Sequence, residues 1–236
     1  MTIEPLSPRL QAIADLIDSS DSMADIGSDH ALLPVYLLDK GLISRAIASE
    51  LGDGPYQRAL EAVRSCHLQD FIEVRQGDGL QTLAEGETST VVIAGMGGET
   101  IAAILAYDWD KAASFRKFIF QPMTKAAVLR RTLAERGWLI LQEKLLRDNH
   151  RYVVIIVSQP GSRPYCLDEL EAEIGREALK ADNQLKREYL FKFMEKYTKI
   201  YESLKHSTRQ DNKLLASACR DKIERLELIL GASHSS

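Results

Sequence analysis

The chain has 236 residues, which at about 100–200 residues per domain is one domain with an appendage or two small ones. It is 45% hydrophobic and 27% charged, enough to bury a core, and this excludes disorder and collagen-like repeats. The formal net charge of −4 hides a split, with 16 basic and 21 acidic side chains in residues 1–160 but 12 and 7 in residues 180–225.

Residues 1–9 hold two prolines and a glutamate but no basic-then-apolar block, so no signal peptide is expected. β-rich runs predict strands over 22–26, 45–49, 72–76, 90–94, 117–121, 138–146 and 152–158. Helical patterns occupy 7–17, 32–40, 55–67, 100–107 and 124–136. Strand alternating with helix implies right-handed crossovers and a largely parallel sheet covered on both faces. The last two strands are joined by the polar cluster Arg147-Asp148-Asn149-His150 and are expected to pair antiparallel at one edge. The fold class expected is therefore α/β: a doubly wound, Rossmann-like sheet ending in an antiparallel hairpin.

Ser158-Gln159-Pro160-Gly161-Ser162-Arg163-Pro164 breaks both helix and sheet, and no strand signal follows it. The predicted boundary gives an α/β domain over 1–160 and a helical domain over 161–236. In the second, Leu185, Tyr189, Phe193, Ile200 and Leu204 share a helix face, as do Leu215, Cys219, Ile223, Leu226 and Leu230. The reading is two antiparallel, coiled-coil-like helices, with a shorter helix before them over 167–179. The longest apolar runs, such as Val91-Val92-Ile93-Ala94, fall far short of the ~18 residues of a membrane span. Cys66, Cys166 and Cys219 form no CxxC pair, so neither a zinc site nor a disulfide framework is expected; reduced thiols in a cytoplasmic protein fit better.

The chemistry gathers at the strand ends. Ala24-Asp25-Ile26-Gly27-Ser28-Asp29-His30-Ala31 links the first strand to a helix, and Gly27 lets the chain turn sharply beside a ligand. It lacks the GxGxxG dinucleotide pattern, because Gly27 is its one glycine and Asp29 stands at the second glycine position. A pyrophosphate would meet the Asp29 carboxylate, whereas a phosphate-free cation such as S-adenosylmethionine would be welcome. Glu50, followed by Leu51, closes the second strand and can accept from both ribose hydroxyls. Gly77-Asp78-Gly79-Leu80 closes the third, where Asp78 can accept from an adenine amine. Ala94-Gly95-Met96-Gly97-Gly98 closes the fourth and leaves room for a flat ligand.

These residues resemble the SAM-dependent class I methyltransferases, and within them the bacterial TrmK family of tRNA (adenine-22-N1)-methyltransferases. The resemblance rests on Leu6-Ser7-Pro8-Arg9-Leu10, the 24–31 motif, Asp53-Gly54-Pro55, Gly77-Asp78-Gly79-Leu80, Ile93-Ala94-Gly95-Met96-Gly97-Gly98 and Gln121-Pro122. It covers residues 6 to about 160 by motif and the helical tail by layout. It implies that Asp25, Gly27, Ser28, Asp29, His30, Glu50, Leu51, Asp78, Gly79, Ala94, Gly95 and Met96 surround S-adenosylmethionine. It also implies that the acceptor is an adenine ring nitrogen in the D-arm of tRNA. Two departures stand out: Asp29 occupies a position where glycine is usual, and Gln121-Pro122-Met123 lacks the (Asn/Asp)-Pro-Pro-aromatic tetrad of exocyclic amine methylases. What stacks on the adenine is left open.

The adenine N1 lone pair needs no prior deprotonation, so orientation should supply most of the acceleration. A carboxylate near the reacting nitrogen would stabilise the charge appearing on the base. Asp29 is the candidate, Gln121 is expected to orient the adenine amino group, and Pro122 lies beside it; the competing roles are a helix N-cap for Asp29 and a plain strand-end polar residue for Gln121. Arg9, Lys186, Arg187, Lys192, Lys196, Lys199 and Lys205 are candidate RNA phosphate contacts, against the alternative of a solvated helix face. Tyr189, Tyr197 and Tyr201 either stack on bases or pack between helices. No metal is expected, and a monomer is favoured over a tail-mediated dimer. The rival functions are methylation of rRNA or a small molecule, and a non-catalytic nucleotide-binding module.

Overall fold

The computed structural model describes residues 5–19 and 22–232. The chain divides into two compact units, the first ending at Cys166 and the second beginning at Leu167. In the first, strands β1 (Ser22–Ile26), β2 (Arg45–Glu50), β3 (Ile72–Gln76), β4 (Thr90–Gly97), β5 (Lys117–Thr124), β6 (Leu139–Asp148) and β7 (Arg151–Gln159) form one seven-stranded sheet of order β3-β2-β1-β4-β5-β7-β6. The pairs among β1 to β5 are parallel; β7 runs antiparallel between β5 and β6. The doubly wound expectation and its terminal hairpin hold.

Helices α1 (Pro8–Ala14), α2 (Leu32–Asp39), α3 (Asp53–Ser65), α4 (Gly98–Tyr107), α5 (Trp109–Ala113) and α6 (Ala126–Glu135) cover the sheet, and a 3-10 turn spans Gly79–Thr82. The predicted first helix over 7–17 is shorter, because Ser7 caps it, Pro8 opens it and the chain turns at Asp15. Helix α5 was not expected; five residues are too few to show a helical period. Central strands are apolar on both faces: Val91, Val92 and Ile93 are fully buried, as are Phe118, Ile119 and Phe120.

Strand period two decides which side chains meet. Met23, Val92 and Ile119 pack with Ala12, Ile13 and Ala14 of α1 and with Leu33 and Leu37 of α2. On the other face Phe118 stacks on Phe120 and meets Phe115 and Trp138. Asp25 and Gln121 lie two residues beyond Met23 and Ile119, so they fall on the α1 face.

The second unit holds α7 (Glu169–Ile174), α8 (Arg176–Leu179), α9 (Gln184–Leu204) and α10 (Gln210–Ala232). Asp168 and Glu171 close a capping box on α7, and Asn183 caps α9. Arg187 near the start of α9 donates to the Leu230 carbonyl near the end of α10, so the two run antiparallel. The apolar faces follow the expectation in part: Cys219, Leu226 and Leu230 are buried, while Leu185, Tyr189, Phe193, Ile200, Leu204 and Ile223 are half-buried. Leu190 and Tyr197 are the buried residues of α9, and Ala216 rather than Leu215 joins Cys219, Leu226 and Leu230 inside α10.

Candidate functional site

The carboxyl ends of β1 to β5 carry the candidate residues. The loop after β1 crosses to the end of β2: Gly27 and Ser28 amides donate to the Ser49 carbonyl at 2.8 and 3.4 Å. The Asp29 amide donates to Glu50 Oε1 at 2.6 Å. Gly27 has φ +70, and a Cβ there would collide with Met96 Cε. Asp29, His30 and Ala31 follow with φ of 45, 72 and 55, three consecutive left-handed residues that lack the freedom of glycine. Such strain persists at functional turns that the surrounding structure over-determines.

This geometry leaves Asp29 without the capping role. The N-cap position of α2 is Ala31, with no side-chain cap bond. The Asp29 side chain is instead 82% exposed, with His30 Nε2 at 3.5 Å from its Oδ1.

Asp25 and Glu50 are buried, and both carboxyls sit above their ordinary pKa. For Asp25 burial is the main cause, pushing it up to about 7; the Ser28 hydroxyl and the Arg9 guanidinium draw it down, while Glu50 and Asp29 push it further up. Burial also raises Glu50, against the Asp29 amide that stabilises its charge. Ser28 Oγ lies close to Asp25 but makes no hydrogen bond of normal geometry, leaving a buried hydroxyl for a ligand to satisfy. Leu51 next to Glu50 is 68% exposed, an apolar surface at the strand end. Asp78 is also exposed. A rim of four carboxyls, a buried hydroxyl lacking a good partner, a glycine turn and a bare leucine fit a flat, cationic, phosphate-free ligand such as S-adenosylmethionine.

At the end of β4, Gly95 (φ +78) makes a bulge, and pairing with β5 shifts register there before resuming as Met96 with Pro122 and Gly97 with Thr124. Both strands therefore run past the residues expected from their apolar runs. Ala94 and Met96 are half-buried and Pro122 is buried. Gln121 is 1% exposed. Its Oε1 accepts from Arg9 at 2.9 Å and from the Gly95 amide at 3.2 Å. Arg9 thus belongs to this cluster.

Sequence reasoning missed a cleft of about 200 Å³ beside Asp78 and Gly79, closed by Thr100, Ile104 and Tyr107 of α4. The available signal was the position of α4, whose first turn follows the glycine-rich strand end directly. A larger cleft, about 280 Å³, lies between Arg45 and Ile72 at the opposite, amino ends of the strands.

The candidate RNA contacts on α9 have other bonds. Lys186 pairs with Asp182, Lys205 with Glu202, and Lys196 with Glu173. Lys192 and Lys199 are exposed. Tyr197 is a packing residue: it is buried and its hydroxyl donates to Glu173 at 2.7 Å. Lys222 sits on the same carboxylate. Burial works against the Glu173 charge, but Lys222, Tyr197 and Lys196 outweigh it and hold the pKa low.

Comparison with known proteins places these features in context. A family model described as a methyltransferase domain matches residues 6–156. A Bacillus subtilis (strain 168) tRNA (adenine(22)-N(1))-methyltransferase is 34% identical over 95% of this chain and 97% of its own. The crystal structure of the B. subtilis M1A22 tRNA methyltransferase TrmK superposes with a TM-score of 0.87 at 31% identity, covering 97% of this chain and all of that one. M. capricolum TrmK, solved with S-adenosyl-homocysteine, superposes with a TM-score of 0.79 at 27% identity, covering 97% and 99%.

Proposed function

The chain belongs to the tRNA (adenine(22)-N(1))-methyltransferase family, and on that premise we propose that acidic side chains at the ends of β1, β2 and β3 hold its methyl donor while the ends of β4 and β5 present the target base. The protein transfers a methyl group from S-adenosylmethionine to N1 of adenine 22 in tRNA. S-adenosylmethionine supplies an electrophilic methyl carbon on a sulfonium. Asp25 and Ser28 take the donor's cationic end, Glu50 takes the ribose, and Leu51 with Asp78 and Gly79 takes the adenine. His30 flanks this turn, and Ala94, Gly95 and Met96 line the adjoining wall.

No general base is required, because the N1 lone pair lies in the ring plane. The work of the chain is alignment of the acceptor nitrogen with the methyl carbon. Asp29 stands out from its turn beside Asp25 and Glu50, where it stabilises the positive charge that appears on the methylated base. Pro122, buried at the end of β5, shapes the floor beneath the base. Lys192 and Lys199, exposed on α9, supply phosphate contacts that give affinity without sequence choice.

One observation carries this reading: Glu50 accepts from the Asp29 amide, which draws the turn after β1 onto the end of β2 and gathers the carboxyls of Asp25, Asp29 and Glu50 at one rim that suits a cationic ligand. The test is mass spectrometry of nucleosides from unmodified tRNA incubated with protein and S-adenosylmethionine. 1-Methyladenosine should appear in a transcript with adenine at position 22 and not in one with guanine there. Calorimetry that detects no donor binding would overturn the reading.

A further inference from the structure

Gln121 sits where the carboxyl ends of β4 and β5 meet the first turn of α1, and both ends of its amide are engaged. Two donors from different elements, Arg9 Nη1 of α1 at 2.9 Å and the Gly95 amide of the β4 bulge at 3.2 Å, fill the two lone pairs of Oε1. An adenine amino group finds no free acceptor there. The Nε2 end points to Met123 Sδ at 3.4 Å. Met123 is 47% exposed, the first residue of β5 beyond the buried Gln121-Pro122 pair. An exposed thioether at a strand end, steadied by an amide, offers a polarisable surface to an aromatic ring.

On the reading that this rim methylates a tRNA adenine, we propose that Arg9 is a positioning residue for the target base, acting through Gln121 to fix Met123, whose side chain supplies the apolar face the base rests on. Arg9, Gln121 and Met123 form one relay from α1 to the base. Period two places Gln121 and Asp25 on the α1 face, which explains why a helix residue 112 positions away reaches this amide. The relay needs nothing from the (Asn/Asp)-Pro-Pro-aromatic tetrad that the chain lacks.

The test is a double-mutant cycle on the full-length protein, with donor dissociation constant, melting temperature, and kcat and KM for tRNA measured for each variant. Arg9→Ala and Gln121→Leu should each lower kcat by tenfold or more, and leave donor affinity within about twofold of wild type. The double variant should be no slower than the worse single one, since both changes cut one chain of contacts. Arg9→Lys, which keeps the charge but loses the fork, should resemble Arg9→Ala. Met123→Leu should keep most activity, and Met123→Ala should raise KM and lower kcat. Multiplying losses in the double variant would overturn the relay. So would an Arg9→Ala effect confined to KM with the salt dependence of binding reduced by about one, the mark of a phosphate contact. A wild-type protein that binds donor but leaves adenine 22 unmodified defeats the functional reading beneath the relay. Normal wild-type activity with unaffected variants defeats the relay alone.

Discussion

Asp25→Asn should stabilise the free protein at neutral and higher pH. The Asp25 carboxyl is buried and its pKa is pushed up to about 7 from 3.8, chiefly by desolvation. Between those values the folded state holds a proton that the unfolded state has released. Stability from this group is therefore greatest at low pH, is lost as pH rises, and stops falling once pH passes about 7. Each pH unit in that window removes about 1.4 kcal/mol. From pH 5.5 to 7 the loss is about 2 kcal/mol, or about 4–8 °C in melting temperature for a chain of this size. Asparagine keeps the shape and has no proton to lose, so its melting temperature relative to wild type should rise by that amount over the same interval and level off above it. Thermal unfolding of both proteins at pH 5.5, 7 and 8.5, with and without S-adenosylmethionine, measures this. The added donor should raise the wild-type midpoint more than that of the variant, since a cation is attracted to the ionised carboxylate. A pH-independent difference, or a uniformly less stable variant, would refute the reasoning.

Asp29→Gly and Asp29→Ala should part company in stability but not in activity. Both remove a like charge from Asp25, but only glycine relieves the left-handed backbone at φ 45, so the glycine variant should be more stable than the alanine one by about 0.5–1 kcal/mol in thermal unfolding. Both should slow single-turnover methyl transfer at least tenfold, and full turnover by either refutes the charge role. Gly27→Ala imposes a Cβ at φ +70 against Met96, and should lose about 1–3 kcal/mol together with most donor-induced thermal protection. Glu143→Gln uncouples the buried Arg130–Glu143 pair, 2.6 Å between α6 and β6, and should cost about 3–5 kcal/mol in denaturant unfolding without changing donor affinity per folded molecule.

The strands were legible because a parallel sheet covered on both faces demands unbroken apolar runs, and 91–93 and 118–120 supply them. Residues just past each run then had to lie at one end of the sheet, which identified Asp25, Glu50, Asp78 and Gly95 as neighbours. Less legible were features whose signal is one residue wide. The Gly95 bulge lengthens two strands, and α5 is too short for a period. Leu215 and Ala216 differ by a single step of helix phase, and the neighbouring helix chooses between them.

By itself the sequence determined the order of elements, the strand ends and the acidic, glycine-interrupted loops that follow them, because each depends on neighbours a few positions apart. Only the tertiary structure decided which side chains meet across the chain. It put Arg9 on Gln121 and freed Asp29 from a capping role. It also withdrew Tyr197 into a packed ionic cluster and left Met123 bare. Those outcomes turn on which helix covers which face of the sheet, and on backbone angles that a lone glycine or a register shift can change, so no local pattern could announce them.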